Sequence, residues 1–131
     1  MTKTIHGIEQ GRADFAYQCA KKGSEISKPK EYKSYVKKIP MMIKTNGLGA
    51  TLAFAMSKKK GGNAWELIYT QLSDWLQTEG NKYLLDNKTG ELSQIVIQLD
   101  SGQYRAVTNE VLAFFNWLRR FAEGLIEGEE E

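Results

Sequence analysis

The sequence predicts an all-α protein that folds as a single compact bundle of about six helices. Apolar residues recur at spacings of three and four along most of its 131 residues, which is the period of amphipathic helices. Turn signals that contain glycine separate these stretches at 23–24, 46–47, 61–62 and 80–81. The length suits one domain, 1–131, that buries about two-thirds of its unfolded surface.

Two helices are predicted before Gly47. The first spans 3–22 and carries four apolar residues at helical spacing: Ile5, Ile8, Phe15 and Cys19. The second begins at Pro29, because proline suits the first turn of a helix. Pro40 removes a backbone donor inside this helix, so a kink or a restart is expected near 37–40.

The next two helices are separated by a pair of glycines at 61–62. A short third helix spans 48–59 and should turn four residues inward: Leu48, Leu52, Ala55 and Met56. The fourth opens at Asn63, an N-cap with Glu66 three residues later, as in a capping box. It runs to about residue 79 and carries an unbroken apolar stripe: Trp65, Ile68, Tyr69, Leu72, Trp75 and Leu76.

Residues 81–100 leave two alternatives open. A hairpin that pairs 82–86 with 91–99 would use the β-branched run 95–97. A helix is favoured, because it would place four apolar residues on one face: Leu92, Ile95, Val96 and Leu99.

The last helix has the strongest apolar pattern in the chain, and Asp100 or Ser101 can cap it. Its stripe steps by three and four: Tyr104, Val107, Val111, Phe115, Leu118, Ala122 and Leu125. Phe114, Trp117 and Phe121 widen the apolar surface, so this helix is either central to the bundle or shared with a partner. The acidic tail, 126–131, is expected to be flexible.

Composition argues against several classes of function. The chain has 41% hydrophobic and 26% charged residues, has no apolar run of about 18 residues and does not begin like a signal peptide. Cys19 is the only cysteine, so no internal disulfide forms and a cytoplasmic location is expected. The only histidine, His6, would lie about 20 Å from Cys19 along one helix. The sequence therefore predicts no enzyme, no metal site and no cofactor.

Charge is distributed unevenly behind a net value of +2. Residues 21–60 contain 11 lysines and two acidic residues, whereas 61–131 carry a net charge of −7. A phosphate backbone is the natural counterpart of such a lysine density, and lysine favours contact without base reading. Tyr32 and Tyr35 lie beside these lysines and could stack on bases, although packing in the core or at its rim is favoured.

Two long strings carry a resemblance to a known family. They are residues 33–58, KSYVKKIPMMIKTNGLGATLAFAMSK, and residues 104–124, YRAVTNEVLAFFNWLRRFAEG, and the short run QGRA at 10–13 fits as well. In this order and at this length, they resemble the small subunit of the Cmr-type (type III-B) CRISPR effector complex. The resemblance covers roughly 8–124.

The resemblance implies a small helical protein without catalytic activity that stacks along an RNA-guided complex. Its expected partners are the crRNA and target RNA, the repeated backbone subunit and other Cmr subunits, and neighbouring copies of itself. The residues expected to contact nucleic acid are Lys37, Lys38, Lys44, Lys58, Lys59, Lys60, Arg105, Arg119 and Arg120. Lys59 and Lys60 lie outside the matched string and rest on charge alone.

Two rival functions remain open at this stage. The helices near 48–59 and 63–79 could form the helix-turn-helix of a stand-alone DNA-binding regulator, which would prefer one duplex sequence. A small enzyme is the other rival, but the sequence offers it no nucleophile and base within reach of each other.

Overall fold

The computed structural model describes the backbone of residues 3–128 and the side chains of residues 7–128. Within that range, six α-helices and one 3-10 turn follow one another without any strand. They are α1 (Lys3–Gly23), α2 (Pro29–Asn46), α3 (Leu48–Lys58), α4 (Ala64–Leu76), the 3-10 turn (Lys82–Leu85), α5 (Leu92–Ile97) and α6 (Ser101–Leu125). The all-α prediction is confirmed.

Helix α6 is central to the packing. It makes its most extensive contacts with α1 and its next most extensive with α2. Its inward side chains are fully buried or nearly so: Val107, Val111, Phe114, Phe115, Leu118 and Ala122. The wide apolar surface predicted for this helix is therefore largely used inside the bundle, whereas Leu125 at its end is 37% exposed.

The predicted starts of α4 and α6 are confirmed by their capping bonds. Asn63 Oδ1 accepts a hydrogen bond from the backbone N–H of Glu66 at 2.9 Å. Asp100, rather than Ser101, caps α6, because its Oδ1 accepts from the Gln103 N–H at 2.8 Å. Each cap satisfies one of the backbone donors that a helix start leaves unpaired.

Several local predictions are wrong. Helix α1 is interrupted at Gly7, where φ is 69°, and Ile8 is 70% exposed instead of facing the core. Met56, at 38% exposed, does not point inward either. Helix α2 continues through Pro40, so the restart is wrong, whereas the kink stays a prediction. The inward position predicted for Ile5 lies outside the described side chains, as does the side chain of His6.

The segment between α4 and α6 combines short elements instead of forming a hairpin or one helix. Helix α4 ends at Leu76 rather than near 79. Between the 3-10 turn and α5, Asp86 and Asn87 take left-handed conformations at φ 58° and 57°, which Asp and Asn tolerate better than most residues. The favoured helix is therefore right only for α5, and the hairpin is wrong.

The chain after α6 turns back onto the start of α2. Ile126 is 4% exposed and belongs to the core. Its carbonyl oxygen accepts a hydrogen bond of 3.0 Å from Nζ of Lys33. The backbone at Gly128 approaches the Lys30 side chain. Residue 126, where the tail was expected to begin, is thus anchored, and residues 129–131 lie outside the described range.

Candidate nucleic-acid interface

Helix α2 distributes its basic residues over two faces. Lys37 and Lys44 are seven residues apart and therefore lie on one side of the helix, whereas Lys38 lies about 100° further round. Lys37 and Lys44 face α6 across a groove. Lys38 instead approaches Tyr35, which stacks on Trp65 of α4. The basic residues of α2 therefore lie on two faces of the helix.

The first surface is a groove of about 470 Å³ between α2 and α6, which we call the α2–α6 groove. Three of the predicted cations line it: Lys37, Lys44 and Arg119. Its remaining lining residues are one amide and four apolar side chains: Asn116, Pro40, Met41, Leu112 and Ala113. A lining that combines four apolar side chains with three cations suits a ligand that carries both phosphate and less polar groups.

Glu123 partly neutralises the groove. Its Oε2 lies 3.9 Å from Lys37 Nζ and 3.8 Å from Arg119 Nη1. Both distances exceed the usual length of a charge-assisted hydrogen bond, and all three side chains are partly exposed. Lys44, the third cation of the groove, is exposed as well. The groove therefore keeps a net positive charge.

The second surface is an aromatic cluster with a cation at each end, which we call the aromatic surface. The Tyr35 and Trp65 rings are stacked with centroids 4.5 Å apart, and the Phe54 ring meets Trp65 nearly at right angles, 5.4 Å away. Lys38 Nζ lies 5.6 Å from the Tyr35 centroid, and Lys58 Nζ lies 5.4 Å from that of Phe54. Both ammonium groups are within cation–π range.

The other predicted cations do not join these surfaces. Lys59 Nζ sits 4.3 Å from the Tyr69 centroid, in a small polar pocket that also contains Glu91. Lys60, Arg105 and Arg120 are exposed, and none of the three lines the groove. The structure thus gathers five of the nine predicted residues into two places.

Burial also decides where two neighbouring residues lie. Lys33 is 5% exposed, so it is not part of an accessible lysine face. Tyr32 is fully buried and donates its hydroxyl hydrogen to Gln71 Oε1 at 2.6 Å, which places it in the core as favoured. Sequence reasoning also missed two residues, Met41 and Phe54. Met41 could have been found, because it lies between Lys37 and Lys44 on the same helical face.

With this geometry established, comparison with known proteins is informative. A family model described as "CRISPR-associated protein (Cas_Cmr5)" matches residues 8–125. The chain belongs to the Cmr5 family. The Cmr5 match includes all of α2, α3 and α6.

Relatives in Thermus thermophilus agree with this assignment. A protein named "CRISPR system Cmr subunit Cmr5" is 30% identical over 115 residues, which cover 88% of this chain and 92% of that protein. The crystal structure of a CRISPR-associated Cmr5 family protein from the same organism superposes with a TM-score of 0.73 at 28% identity. That superposition covers 91% of this chain and 96% of the other. The Cmr5 relationship therefore extends to the fold.

The helix-turn-helix alternative is not favoured by the site. Helix α4 would have to serve as the recognition helix, yet its sequence, AWELIYTQLSDWL, contains no lysine or arginine. Its first two residues, Ala64 and Trp65, are buried, although the first turn of a recognition helix must reach base edges.

Arg12, which also lies in the matched region, is held by side chains of the bundle. Arg12 binds Glu110 through two bonds of 2.8 Å, from Nε and from Nη2. Glu110 Oε2 also accepts from the Trp75 indole N–H at 2.9 Å. These bonds join α1, α4 and α6, and the hydrogen bonds to Glu110 raise the pKa of Arg12. Arg12 therefore holds the bundle together instead of facing a ligand.

Two other kinds of feature are absent among the described residues. No group of three or more His, Cys, Asp or Glu side chains is arranged to hold a metal ion. None of the helices in this part of the chain is both long enough and apolar enough to cross a membrane.

Proposed function

We propose that this chain is the non-catalytic small subunit of a type III-B CRISPR (Cmr) ribonucleoprotein. It contacts the backbone of the crRNA and target RNA without reading sequence, and it aids target capture. The observation that carries this proposal is the α2–α6 groove, where Lys37, Lys44 and Arg119 meet. The name of the Thermus relative, a Cmr system subunit, supports the assembly.

The groove suits phosphate for a physical reason. Lys44 is exposed, and the spacing of Lys37 and Lys44 along α2 is about 10 Å. These two ammonium groups and the Arg119 guanidinium can each neutralise a backbone phosphate without reading sequence. Contacts of this kind release counterions, so affinity should fall steeply with salt.

The proposed assembly would repeat weak phosphate contacts in neighbouring copies of the chain. We propose that the chain acts as one domain in the cytoplasm. It would pack beside its own copies and beside the repeated backbone subunit. Several copies in a row would add their weak phosphate contacts by raising the effective local concentration of the next site. No cofactor is needed for such a role.

The test uses the assembled complex and the double variant Lys44→Gln/Arg119→Gln. Target RNA capture is measured by filter binding over a range of salt concentrations. Two lost single-strand phosphate contacts should reduce the slope of log K against log salt by about 1.4.

Lys88→Gln provides the matched control, because Lys88 is an exposed lysine in the turn before α5. It should leave both slope and affinity unchanged. Capture that is the same in the double variant and in Lys88→Gln would refute the groove as an RNA contact. Nuclease activity of the purified chain would refute its non-catalytic role.

A further inference from the structure

Phe54 is an exposed aromatic ring in a basic environment. It is 40% exposed on α3, and its helical neighbours on the outer side, Ala50 and Ser57, are small and exposed. The large α3 side chain beside this ring is Lys58, whose Nζ lies over it, 5.4 Å from the ring centroid.

Contacts with Trp65 fix the orientation of the Phe54 ring. Phe54 packs at 83° to Trp65, and Trp65 is only 7% exposed and is stacked on Tyr35 at 17°. Perpendicular and stacked arrangements are the favoured geometries of aromatic pairs. A ring held in this way costs little further ordering when a ligand binds to it.

Charge indicates what kind of ligand fits. Lys58 Nζ is 5.4 Å from the Phe54 centroid, and Lys38 Nζ lies at the other end of the aromatic surface. An aromatic platform between two flexible cations is complementary to a nucleobase with a phosphate on each side. A purely apolar partner would leave both ammonium groups without a counterpart.

We propose that Phe54 stacks on an unpaired base of single-stranded nucleic acid, while Lys58 and Lys38 neutralise the flanking phosphates. This inference rests on the proposed function, because it assumes that the chain meets nucleic acid. Lys58 would exchange its contact with the Phe54 ring for a phosphate, which its exposed side chain allows.

The experiment uses the full chain at low ionic strength and a single-stranded RNA that contains 2-aminopurine, whose fluorescence falls on stacking. Phe54→Leu keeps an apolar side chain but removes the aromatic face, and Phe54→Trp keeps that face. Loss of one stacked base should weaken binding by about 5- to 150-fold. The salt slope should not change in Phe54→Leu, because no charge is altered.

Tyr17→Leu is the matched control. Tyr17 is 37% exposed, close to the value for Phe54, but it packs edge-on against Phe121 on the α1–α6 side. It should bind like the wild type, and Phe54→Trp should retain both affinity and quenching.

The outcomes separate this inference from the proposed function. Weaker binding and lost quenching in Phe54→Leu alone would support stacking. Unchanged affinity and quenching in Phe54→Leu, with a salt slope still reduced in Lys44→Gln/Arg119→Gln, would overturn stacking and leave the groove in place. A Phe54→Leu chain that quenches normally but fails to join the complex would also overturn it, because Phe54 would then contact protein. If the wild-type chain and complex bind no RNA, both proposals fail.

Discussion

Gly23 provides a sharp test of how α1 is fixed against α2. A Cβ atom at this position would lie 2.3 Å from Cε1 of Tyr32, whereas ordinary contacts begin at 3.4 Å. Gly23→Ala therefore requires a shift of about 1 Å. The Tyr32 ring cannot supply it freely, because it is fully buried and hydrogen-bonded to Gln71. Overpacking of this kind costs about 1–3 kcal/mol, and loss of the hydroxyl bond would add about 1 kcal/mol.

Gly11→Ala is the matched control in the same helix. No atom lies within 4 Å of a Cβ at Gly11, so alanine should raise the free energy of unfolding by about 0.5–1 kcal/mol through helix propensity. Urea unfolding followed by circular dichroism should therefore separate the two variants by about 2–5 kcal/mol. If Gly23→Ala unfolds at the same urea concentration as Gly11→Ala, the close contact with Tyr32 does not exist and our account of the α1–α2 junction is wrong.

Two further predictions concern charge. Glu123→Gln should raise RNA affinity by about 1.5- to 5-fold, because it removes a carboxylate that competes with phosphate for Lys37 and Arg119; filter binding checks this, and unchanged affinity would argue against the groove. Burial raises the pKa of the Cys19 thiol to about 12, so iodoacetamide at pH 8 should label it only after unfolding in urea, and rapid labelling of the folded chain would contradict its burial. Because this pKa is raised above its usual value of 9.0, the stabilisation that depends on the neutral thiol is complete below about pH 9 and is lost as the pH rises towards 12.

The helices could be predicted where one local pattern was long enough to dominate. The stripe of α4 and the cap at Asn63 are both present in the structure, because period and capping depend on residues within a few positions of one another. Residues 81–100 lacked such a pattern. There the left-handed residues Asp86 and Asn87 divide the segment into a 3-10 turn and α5, and no short window distinguishes that outcome from a hairpin.

The candidate site was predictable in composition but not in arrangement. Lysine density and the matched strings indicated α2, which lines the α2–α6 groove. They could not show that Ile126, far along the chain, would bury Lys33, or that Arg119 of α6 would face Lys44. Both facts depend on tertiary packing, because α2 and α6 are far apart in the sequence.

On the proposed function, the division of α2 into two basic faces limits how RNA can bind. Lys37 and Lys44 point to α6, and Lys38 lies about 100° away beside Tyr35. A nucleic-acid strand that runs straight along α2 can therefore satisfy only one of these faces. A strand that uses both must cross the helix, or two separate segments must lie on either side of it. The groove suits a phosphate backbone whatever its base sequence. The aromatic surface requires an unpaired base that can stack on it. On the proposed function, the same helix would hold paired and unpaired parts of RNA that approach it from different sides.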